Sequence, residues 1–280
     1  MNIPPTTRDE MTITNGTTTA AEQAAKQNAH SFLTEIPPEI EPGRRLLEKY
    51  SGFAPEDVDA HILNIRDKAW AVFPYGCIGS FAFLNLTPTI QEDDARYQTV
   101  AARLKAPGST ETFLDVGCCL GSLVRQLISD GVCRSDRLYG TDLQQRFLDL
   151  GYELFRDNDA SNKATFVAGD MLDENDERLD VLTGKIDIIH AAAFFHLFER
   201  EGQVKAARRM VRFLRPGNPN AMIFGQDGGP KVEGWEKYVL DAESWRSMWE
   251  EAGGATGMSF RTETDVSSSD DWIRVQFAVY

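Results

Sequence analysis

Three acidic residues lie at or near the ends of predicted strands, where a bound ligand would meet them. Asp115 lies in an apolar run that leads into a glycine-containing loop, Asp142 ends the next apolar run, and Asp170 follows a third. In an open sheet of parallel strands, ligands bind at the carboxyl ends of the strands. A carboxylate there can accept hydrogen bonds from ribose hydroxyls or from an adenine amino group. The three acids therefore predict an adenosine-type ligand with free ribose hydroxyls.

Each acid also has a purely structural interpretation. Asp115 could cap the backbone N–H groups of the loop that follows it. Asp142 could be a solvated turn residue, and Asp170 begins an acid-rich stretch that could simply face water. The occurrence of acids at three successive strand ends favours ligand binding over these alternatives.

The loop after Asp115 argues against one common class of nucleotide site. A dinucleotide fingerprint requires glycine at positions 117, 119 and 122, but the last two are Cys119 and Ser122. A nicotinamide-dependent oxidoreductase is therefore disfavoured. The alternative spacing, with Gly117 and Gly121 on either side of Cys119, keeps two of three glycines, and cysteine is small enough for the middle position.

The histidine and cysteine residues predict no metal site. His190 and His196 are six residues apart, which does not match a helical pair of metal ligands. His196 could be a general base, a donor to substrate or a structural residue, and His190 is interpreted as structural or cofactor-adjacent. No cysteine belongs to a C-x-x-C pair, so a reducing, cytoplasmic setting without a disulfide framework is expected. The four cysteines are Cys77, Cys118, Cys119 and Cys133.

Composition limits the partners. The 280 residues carry 43 acidic and 29 basic side chains, a formal net charge of −14, so a nucleic-acid partner is not expected. No apolar run approaches the ~18 residues that suggest a membrane-spanning helix, so no membrane partner is expected. These features leave a small molecule as the expected partner.

Apolar periodicity and Gly/Pro breaks predict alternating strands and helices. Strands are predicted at 113–116, 137–142, 164–169, 186–192, 221–225 and 272–280. Helices are predicted at 91–105, 122–130, 145–156, 203–214 and 242–251. The alternation predicts an α/β fold with a doubly wound, mainly parallel sheet.

The chain divides into three predicted segments. We expect a disordered tail at 1–20, because this stretch is polar and rich in threonine. A helical and aromatic cap is predicted at 21–108, and the α/β domain at 109–280. The cap would cover the active site and could also mediate a homodimer.

The order of elements and of strand-end acids resembles that of class I S-adenosylmethionine-dependent methyltransferases over about residues 110–280. The resemblance implies a seven-stranded, Rossmann-like sheet and S-adenosylmethionine as the cofactor. It implies that the methionine part is lined by Asp115, Gly117, Cys118, Cys119 and Gly121. It also implies ribose contact by Asp142 and Leu143, adenine contact by Asp170 and Met171, and places His190 and Ala191 beneath the sulfonium.

Several stretches are similar to one group within this family, the fungal secondary-metabolite methyltransferases. They are Gly117-Cys118-Cys119 and the runs 149–157, 188–198 and 75–79. This group includes meroterpenoid-pathway enzymes that esterify carboxylic acids, so the resemblance implies a carboxyl O-methyltransferase with a small carboxylic acid as substrate. Candidates to hold that carboxylate are Tyr75, Arg66, Arg96, Tyr97 and His196.

The acidity of the acceptor decides whether a catalytic base is needed. A carboxylic acid is already ionised at neutral pH, whereas a phenol with a pKa near ~10 would need a base such as His196. The sequence shows no obvious catalytic dyad, which favours an ionised acceptor. The alternatives are a phenol O- or C-methyltransferase, or a cofactor-retaining protein that does not methylate and acts as a cyclase-like catalyst or a regulator.

Overall fold

A seven-stranded sheet forms the centre of the molecule. The structure, a computed structural model, describes residues 19–86, 95–157, 164–230, 241–269 and 272–280. The strand order is β3-β2-β1-β4-β5-β7-β6, and β7 runs antiparallel to both of its neighbours. The strands are β1 (Phe113–Val116), β2 (Leu138–Asp142), β3 (Thr165–Ala168), β4 (Ile188–Ala192), β5 (Met222–Pro230), β6 (Thr262–Ser268) and β7 (Trp272–Val279). The predicted fold class is confirmed.

Helices cover both faces of this sheet and precede it in the chain. Those before the sheet are α1 (Ala20–Asn28), α2 (Glu41–Ser51), α3 (Pro55–Val72), α4 (Gly76–Gly79) and α5 (Ala95–Lys105). Those that alternate with the strands are α6 (Ser122–Ser129), α7 (Gln145–Phe155), α8 (Arg200–Phe213) and α9 (Ala242–Thr256). Among the described residues, no helix combines the length and apolar character needed to cross a bilayer.

Successive strand residues are buried on opposite faces of the sheet. Phe113 and Ile188 pack into a core shared with α2, α3, α6 and α7. Their neighbours Leu114 and Ile189 pack into a second core with α8 and α9. Burial on both faces explains why the central strands read as continuous apolar runs. The ends of these strands, and not their faces, are therefore left for a ligand.

The strand order changes direction at β1, whose neighbours are β2 and β4. The chain passes from β1 to β2 and β3 on one side, then returns to β4 on the other. A crevice forms at the carboxyl ends of the strands at such a switch point, and ligands of open α/β sheets bind there. The sheet thus brings the ends of β1, β2 and β4 to one place.

Two boundaries and one unpredicted strand are the main differences from the sequence-based elements. The helix predicted to end at 251 continues through Gly253 to Thr256 and is capped by Gly257, which has a φ of 70°. A Cβ at residue 253 would come 2.4 Å from the carbonyl oxygen of Met258, so this position requires glycine even inside the helix. Strand five continues past its predicted end at 225 to Pro230, because it pairs with β7 along its whole length. Strand β6 has a polar, mostly exposed sequence without alternation, so it was not predicted.

The N-terminal predictions fall partly outside the described residues. Residues 1–18 of the predicted tail and 91–94 of the predicted helix 91–105 lie outside them. Within the described part, Thr19 caps the helix that begins at Ala20, with its hydroxyl accepting from the Glu22 N–H at 3.2 Å. The rest of the helix predicted at 91–105 is present as α5.

A buried ion pair fixes the start of α6 to the end of α7. Arg125, at 1% exposed, donates to both carboxylate oxygens of Asp157 at 2.7 and 2.9 Å. Its Nη1 also donates to the carbonyls of Leu120 and Gly121 at 2.9 and 3.2 Å. Tyr50 of the cap donates its hydroxyl to the same Asp157 carboxylate at 2.8 Å. One guanidinium therefore connects α6, α7 and the loop before α6.

Arg125→Met tests this connection. Removing the cation leaves the carboxylate of Asp157 buried without its ion-pair partner, so we expect the free energy of unfolding to fall by about 3–5 kcal/mol. Urea unfolding followed by circular dichroism measures the change. The matched control is Arg134→Met, which breaks the exposed pair with Asp136 and should change the free energy by less than about 1 kcal/mol. Equal losses in the two variants would contradict the role given to Arg125.

Candidate active site

The loop between β1 and α6 is held in an unusual backbone conformation. Gly117, Cys119 and Gly121 have φ angles of 69°, 53° and 72°. Such values suit glycine but are strained for cysteine. The backbone N–H groups of Gly117 and Cys118 both donate to the carbonyl of Thr141, at 2.9 and 3.0 Å. The loop is therefore attached to the end of β2, and its Cys119 is kept in a strained conformation there.

Asp142 closes the loop from the end of β2. Its two carboxylate oxygens accept from the backbone N–H groups of Cys119 at 2.9 Å and Gln144 at 3.0 Å. Burial raises the pKa of Asp142 to about 6, and the negative charge of Asp115 adds to the rise. The adjacent Leu143 side chain is 47% exposed. A carboxylate in this position has lone pairs left for further donors and would be stabilised by a positive charge.

A second carboxylate, Asp115, is paired with a histidine of the neighbouring strand. Asp115 and His190 are register partners in β1 and β4, and Asp115 Oδ1 lies 2.7 Å from His190 Nδ1. Both residues are buried, and the imidazole packs between Phe113 and Phe224. This pair therefore joins the adjacent strands β1 and β4 beneath the sheet's switch point.

A second histidine–carboxylate pair lies one strand further along. His196 Nδ1 is 2.5 Å from Asp227 Oδ1, and the side chains are 16% and 9% exposed. Asp227 Oδ2 accepts from the backbone N–H groups of Phe195 and His196 at 2.7 and 3.1 Å. Burial lowers the pKa of His196, but the charge of Asp227 and the hydrogen bond to it outweigh burial and raise the pKa above its ordinary value. The sequence showed no obvious catalytic dyad, whereas the structure pairs His196 with Asp227.

The cap contributes Tyr75 and Cys77 to the same region. Burial and the charge of Asp142 raise the pKa of the Tyr75 hydroxyl. Cys119 lowers the pKa of the Cys77 thiol, which also interacts electrostatically with Asp142 and His196. Tyr75 and Cys77 therefore lie within electrostatic range of the strand ends.

The other residues predicted to line the cofactor make contacts within the turn after β3 and within the sheet. Asp170 accepts from the backbone N–H of Leu172 at 2.8 Å, which shapes the turn after β3. Met171 is buried in the core beneath that turn. Ala191 is buried in β4, in register with Val116 of β1. Asp170 and Ala191 nevertheless lie at the carboxyl ends of their strands, where a ligand in the crevice would reach them.

The two arginines predicted to hold substrate have partners elsewhere. The guanidinium of Arg66 lies over the rings of Phe32 and Phe81, 4.0 and 4.6 Å from their centroids, and donates to the carbonyl of Leu33 at 2.7 Å. Arg96 pairs with Asp265 of the edge strand β6. The other cap candidate, Tyr97, is buried in α5. These contacts engage both guanidinium groups within the fold, and a role for either in acceptor binding stays a prediction from the sequence.

Two family models match the chain. The description "Meroterpenoid methyltransferase N-terminal domain" matches residues 31–84, which include α2, α3 and α4. The description "Methyltransferase domain" matches residues 113–217, which begin at β1 and include the carboxyl ends of β1 to β4 but not Asp227 of β5. Both the cap and the crevice are thus parts of recognised methyltransferase domains.

Curated relatives cover most of the chain. The O-methyltransferase phiE of a fungal species is 41% identical over 90% of this chain and 84% of its own length. The Asnovolin E/Chermesin D methyltransferase nvfJ of Aspergillus novofumigatus is 35% identical over 80% of each chain. Among solved structures, the mitomycin 7-O-methyltransferase MmcR aligns with a TM-score of 0.48 at 12% identity, over 91% of this chain and 71% of that one.

The chain belongs to the family of fungal secondary-metabolite methyltransferases. It is an S-adenosylmethionine-dependent O-methyltransferase with a small-molecule substrate. The sequence-based expectations of family, enzyme class and cofactor are confirmed, which leaves the non-methylating alternative without support. Among the described residues, no group of three or more His, Cys, Asp or Glu side chains is placed to hold a metal ion.

The residues at the crevice fit this cofactor. The Asp142 carboxylate accepts from two backbone N–H groups, so it can still accept from two ribose hydroxyls. Burial, assisted by the charge of Asp115, raises the pKa of Asp142, so a positive charge bound nearby would stabilise its ionised form. A cofactor with a sulfonium and an ammonium group would supply that charge. The exposed Leu143 offers an apolar contact beside the ribose position.

Sequence reasoning missed three residues of the site. Asp227 was missed because strand five was predicted to end before it, and Cys77 because the run 75–79 was used only for the family resemblance and not to predict site residues. Phe194 covers the loop: a Cβ at Gly117 would come 3.0 Å from its ring. The Asp-Gly-Gly that follows strand five was the available signal for Asp227, since it places an acid at a fourth strand end.

The pKa of Asp142 predicts how cofactor binding depends on pH. Only the ionised carboxylate accepts from both ribose hydroxyls, and its ionised fraction falls about tenfold between pH 7 and pH 5. We therefore expect the Kd for S-adenosylmethionine, measured by calorimetry, to rise about tenfold over that interval.

Asp142→Asn should weaken binding about 10- to 100-fold at pH 7, because hydrogen bonds to a charged group are lost. It should also remove the pH dependence. The control is Asp149→Asn, an exposed acid on α7, which should bind as the wild type does. Unchanged affinity in Asp142→Asn would refute the assignment of Asp142 to the ribose.

Proposed function

We propose that the enzyme methylates a carboxylate of a small secondary metabolite and forms a methyl ester. The observation that carries the proposal is the His196–Asp227 pair. Because Asp227 raises the pKa of His196, the imidazole retains a proton at higher pH than an ordinary histidine. A protonated imidazole is a donor and a positive charge, which suits an ionised acceptor.

The pair also fixes the direction of the imidazole. Nδ1 faces Asp227, so Nε2 is the ring nitrogen left to donate to an acceptor carboxylate. Three backbone N–H groups, of Phe195, His196 and Gly228, hold Asp227 in place. His196 therefore acts as an oriented binding group, which agrees with the donor role that the sequence left open.

The residues of the site need to bind, align and exclude water. When bound, S-adenosylmethionine supplies a methyl group activated by a positively charged sulfur. Opposite charges on acceptor and donor are neutralised in the transfer, so a dry site of low dielectric constant favours it. Phe194, whose ring lies 3.0 Å from a Cβ placed on Gly117, supplies apolar surface over the loop, and alignment of the reacting groups can lower the barrier by roughly 7–11 kcal/mol.

The assignment of the cofactor-binding residues is part of this proposal. Asp142 and Leu143 would hold the ribose, and the turn after β3 with Asp170 and Met171 would flank the adenine. The methionine part would lie over the loop that contains Gly117, Cys118, Cys119 and Gly121. The Asp115–His190 pair and Ala191 would lie beneath the sulfonium. The support is their shared position at the strand ends, in a family that uses this cofactor.

The relatives support an acceptor of meroterpenoid type. The N-terminal match is described as a meroterpenoid methyltransferase domain, and nvfJ is named for asnovolin E and chermesin D. A cap rich in aromatic side chains suits such an apolar molecule.

The cellular location, the segment boundaries and the oligomeric state are also parts of the proposal. All four cysteines are free thiols, which supports the expected cytoplasmic location. The segment boundaries at 20 and 108 and a homodimer formed through the cap stay predictions from the sequence.

A phenol is the second candidate acceptor, because the same pair can also serve as a base. A neutral His196 held by Asp227 would take the phenolic proton through Nε2. The two acceptors require opposite protonation states of one side chain, so the pH profile separates them.

The pH dependence of methyl transfer tests the ester proposal. For a carboxylic acid acceptor, kcat/KM should fall as the pH rises through the pKa of His196, which lies above 6.5. Asp227→Asn removes the charge that raises this pKa, so the fall should move to lower pH. His196→Gln should abolish methyl transfer to the carboxylic acid. A kcat/KM that rises through the same range would instead identify His196 as a base.

The chemistry of the product gives an independent readout. The enzyme is incubated with methyl-labelled cofactor and a panel of terpenoid acids and phenols. Label on acids that alkali releases supports a methyl ester. Alkali-stable label on phenols, with none on acids, would overturn the proposal.

A further inference from the structure

Arg209 of α8 is a buried cation whose guanidinium holds two backbone carbonyls. The residue is 4% exposed. Its Nη1 donates to the carbonyl of Glu174 at 2.8 Å, and its Nη2 donates to the carbonyl of Asp176 at 2.6 Å. The carboxylate of Asp180 lies 3.8 Å away, beyond hydrogen-bond distance. A planar guanidinium fixes its acceptors in one geometry, so Arg209 attaches the segment after β3, residues 169–176 (the β3 loop), to α8.

A second arginine of α8 contacts the same loop at the surface. Arg212 is 47% exposed, and its Nη2 lies 3.7 Å from the carboxylate of Glu174. Exposed ion pairs contribute little to holding a structure in place. The two arginines therefore differ in burial and in the groups that they hold, which makes Arg212 a matched control for Arg209.

The β3 loop carries the attachment from Arg209 to Asp170. The carboxylate of Asp176 accepts from the backbone N–H of Asp170 at 2.8 Å. The guanidinium of Arg178 donates to both oxygens of that carboxylate, at 2.8 and 2.6 Å, and holds the pKa of Asp176 well below its ordinary value. The position of Asp170 thus depends on a chain of hydrogen bonds that begins at Arg209.

The same loop is attached to the end of β2. The backbone N–H of Gly169 donates to the carbonyl of Asp142 at 2.9 Å. A Cβ at Gly169 would come 2.4 Å from Cγ of Leu179, so the loop packs closely against the segment that follows it. Asp170 is therefore held next to Asp142 from one side and through Asp176 from the other.

We propose that Arg209 is a positioning residue for recognition of the adenine, because it holds the β3 loop so that the Asp170 carboxylate meets the amino group of the base. This inference rests on the proposed placement of the adenine beside Asp170. An amino group donates to a carboxylate, whereas hypoxanthine has a carbonyl oxygen at the same position, and two acceptors repel each other. A correctly placed Asp170 should therefore favour adenine over hypoxanthine, and a displaced Asp170 should lose the preference.

The test compares two ligands of the full chain by calorimetry, S-adenosylhomocysteine and its deaminated analogue S-inosylhomocysteine. The wild type should bind the adenine ligand at least about tenfold more tightly, since the analogue leaves a buried acceptor without its donor. Arg209→Met should reduce the ratio of the two Kd values to below about threefold. Arg212→Met should keep the wild-type ratio. A purely structural role of Arg209 would weaken both ligands equally and leave the ratio unchanged.

Two further variants separate this inference from the placement on which it rests. Arg209→Lys keeps the cation without the planar fork, so we expect an intermediate ratio, and this variant carries the test if circular dichroism shows that Arg209→Met does not fold. Asp170→Asn should abolish the preference, because an amide can accept from one base or donate to the other.

Different results would overturn different parts of the proposal. A wild-type ratio near one, or an unchanged ratio in Asp170→Asn, would refute the adenine placement and the role of Arg209 with it. A ratio that is lost in Asp170→Asn but kept in both Arg209 variants would overturn the positioning role alone. An equal loss in Arg212→Met would also overturn that role.

Discussion

Three carboxylates are largely shielded from water at the carboxyl ends of the strands, and each is held by donors from a neighbouring element. Asp115 has His190, Asp142 has the N–H groups of Cys119 and Gln144, and Asp227 has His196 with its backbone. A buried carboxylate without donors would be costly. The positions of the glycine loop and of the segment after β4 are therefore set by the acids that they must satisfy. The same acids concentrate negative charge where we propose that the cationic cofactor binds.

The cap and the α/β domain are connected through polar contacts as well as packing. Tyr50 reaches the Arg125–Asp157 pair, and that pair in turn holds the carbonyls that end the glycine loop. On the other side of the loop, Tyr75 and Cys77 lie within electrostatic range of Asp142 and the Cys119 thiol. The loop thus lies between two parts of the cap, which explains why a cap is an integral part of the site and not an appendage.

The fold and half of the site were predictable because they depend on local patterns. Apolar runs that end in an acid mark strand ends, and parallel strands bring such ends together; Asp115 and Asp142 follow from this rule. The His196–Asp227 pair depends on how far β5 extends beside β7, a tertiary pairing that leaves no trace in the periodicity. Arg66 was predicted only as a candidate to hold the acceptor, and Arg125 was given no role, yet aromatic rings and carbonyl groups bury both. Buried cations depend on partners distant in the chain, so composition does not reveal them.

The central claim is that a protonated, oriented His196 receives an ionised acceptor beside a cofactor held by Asp142. A crystal structure with S-adenosylhomocysteine and a carboxylic acid acceptor tests it most directly. The account predicts ribose hydroxyls on the Asp142 carboxylate and the acceptor carboxylate within hydrogen-bond distance of His196 Nε2. An acceptor carboxylate held by other groups, with His196 Nε2 turned away from it, would contradict the account.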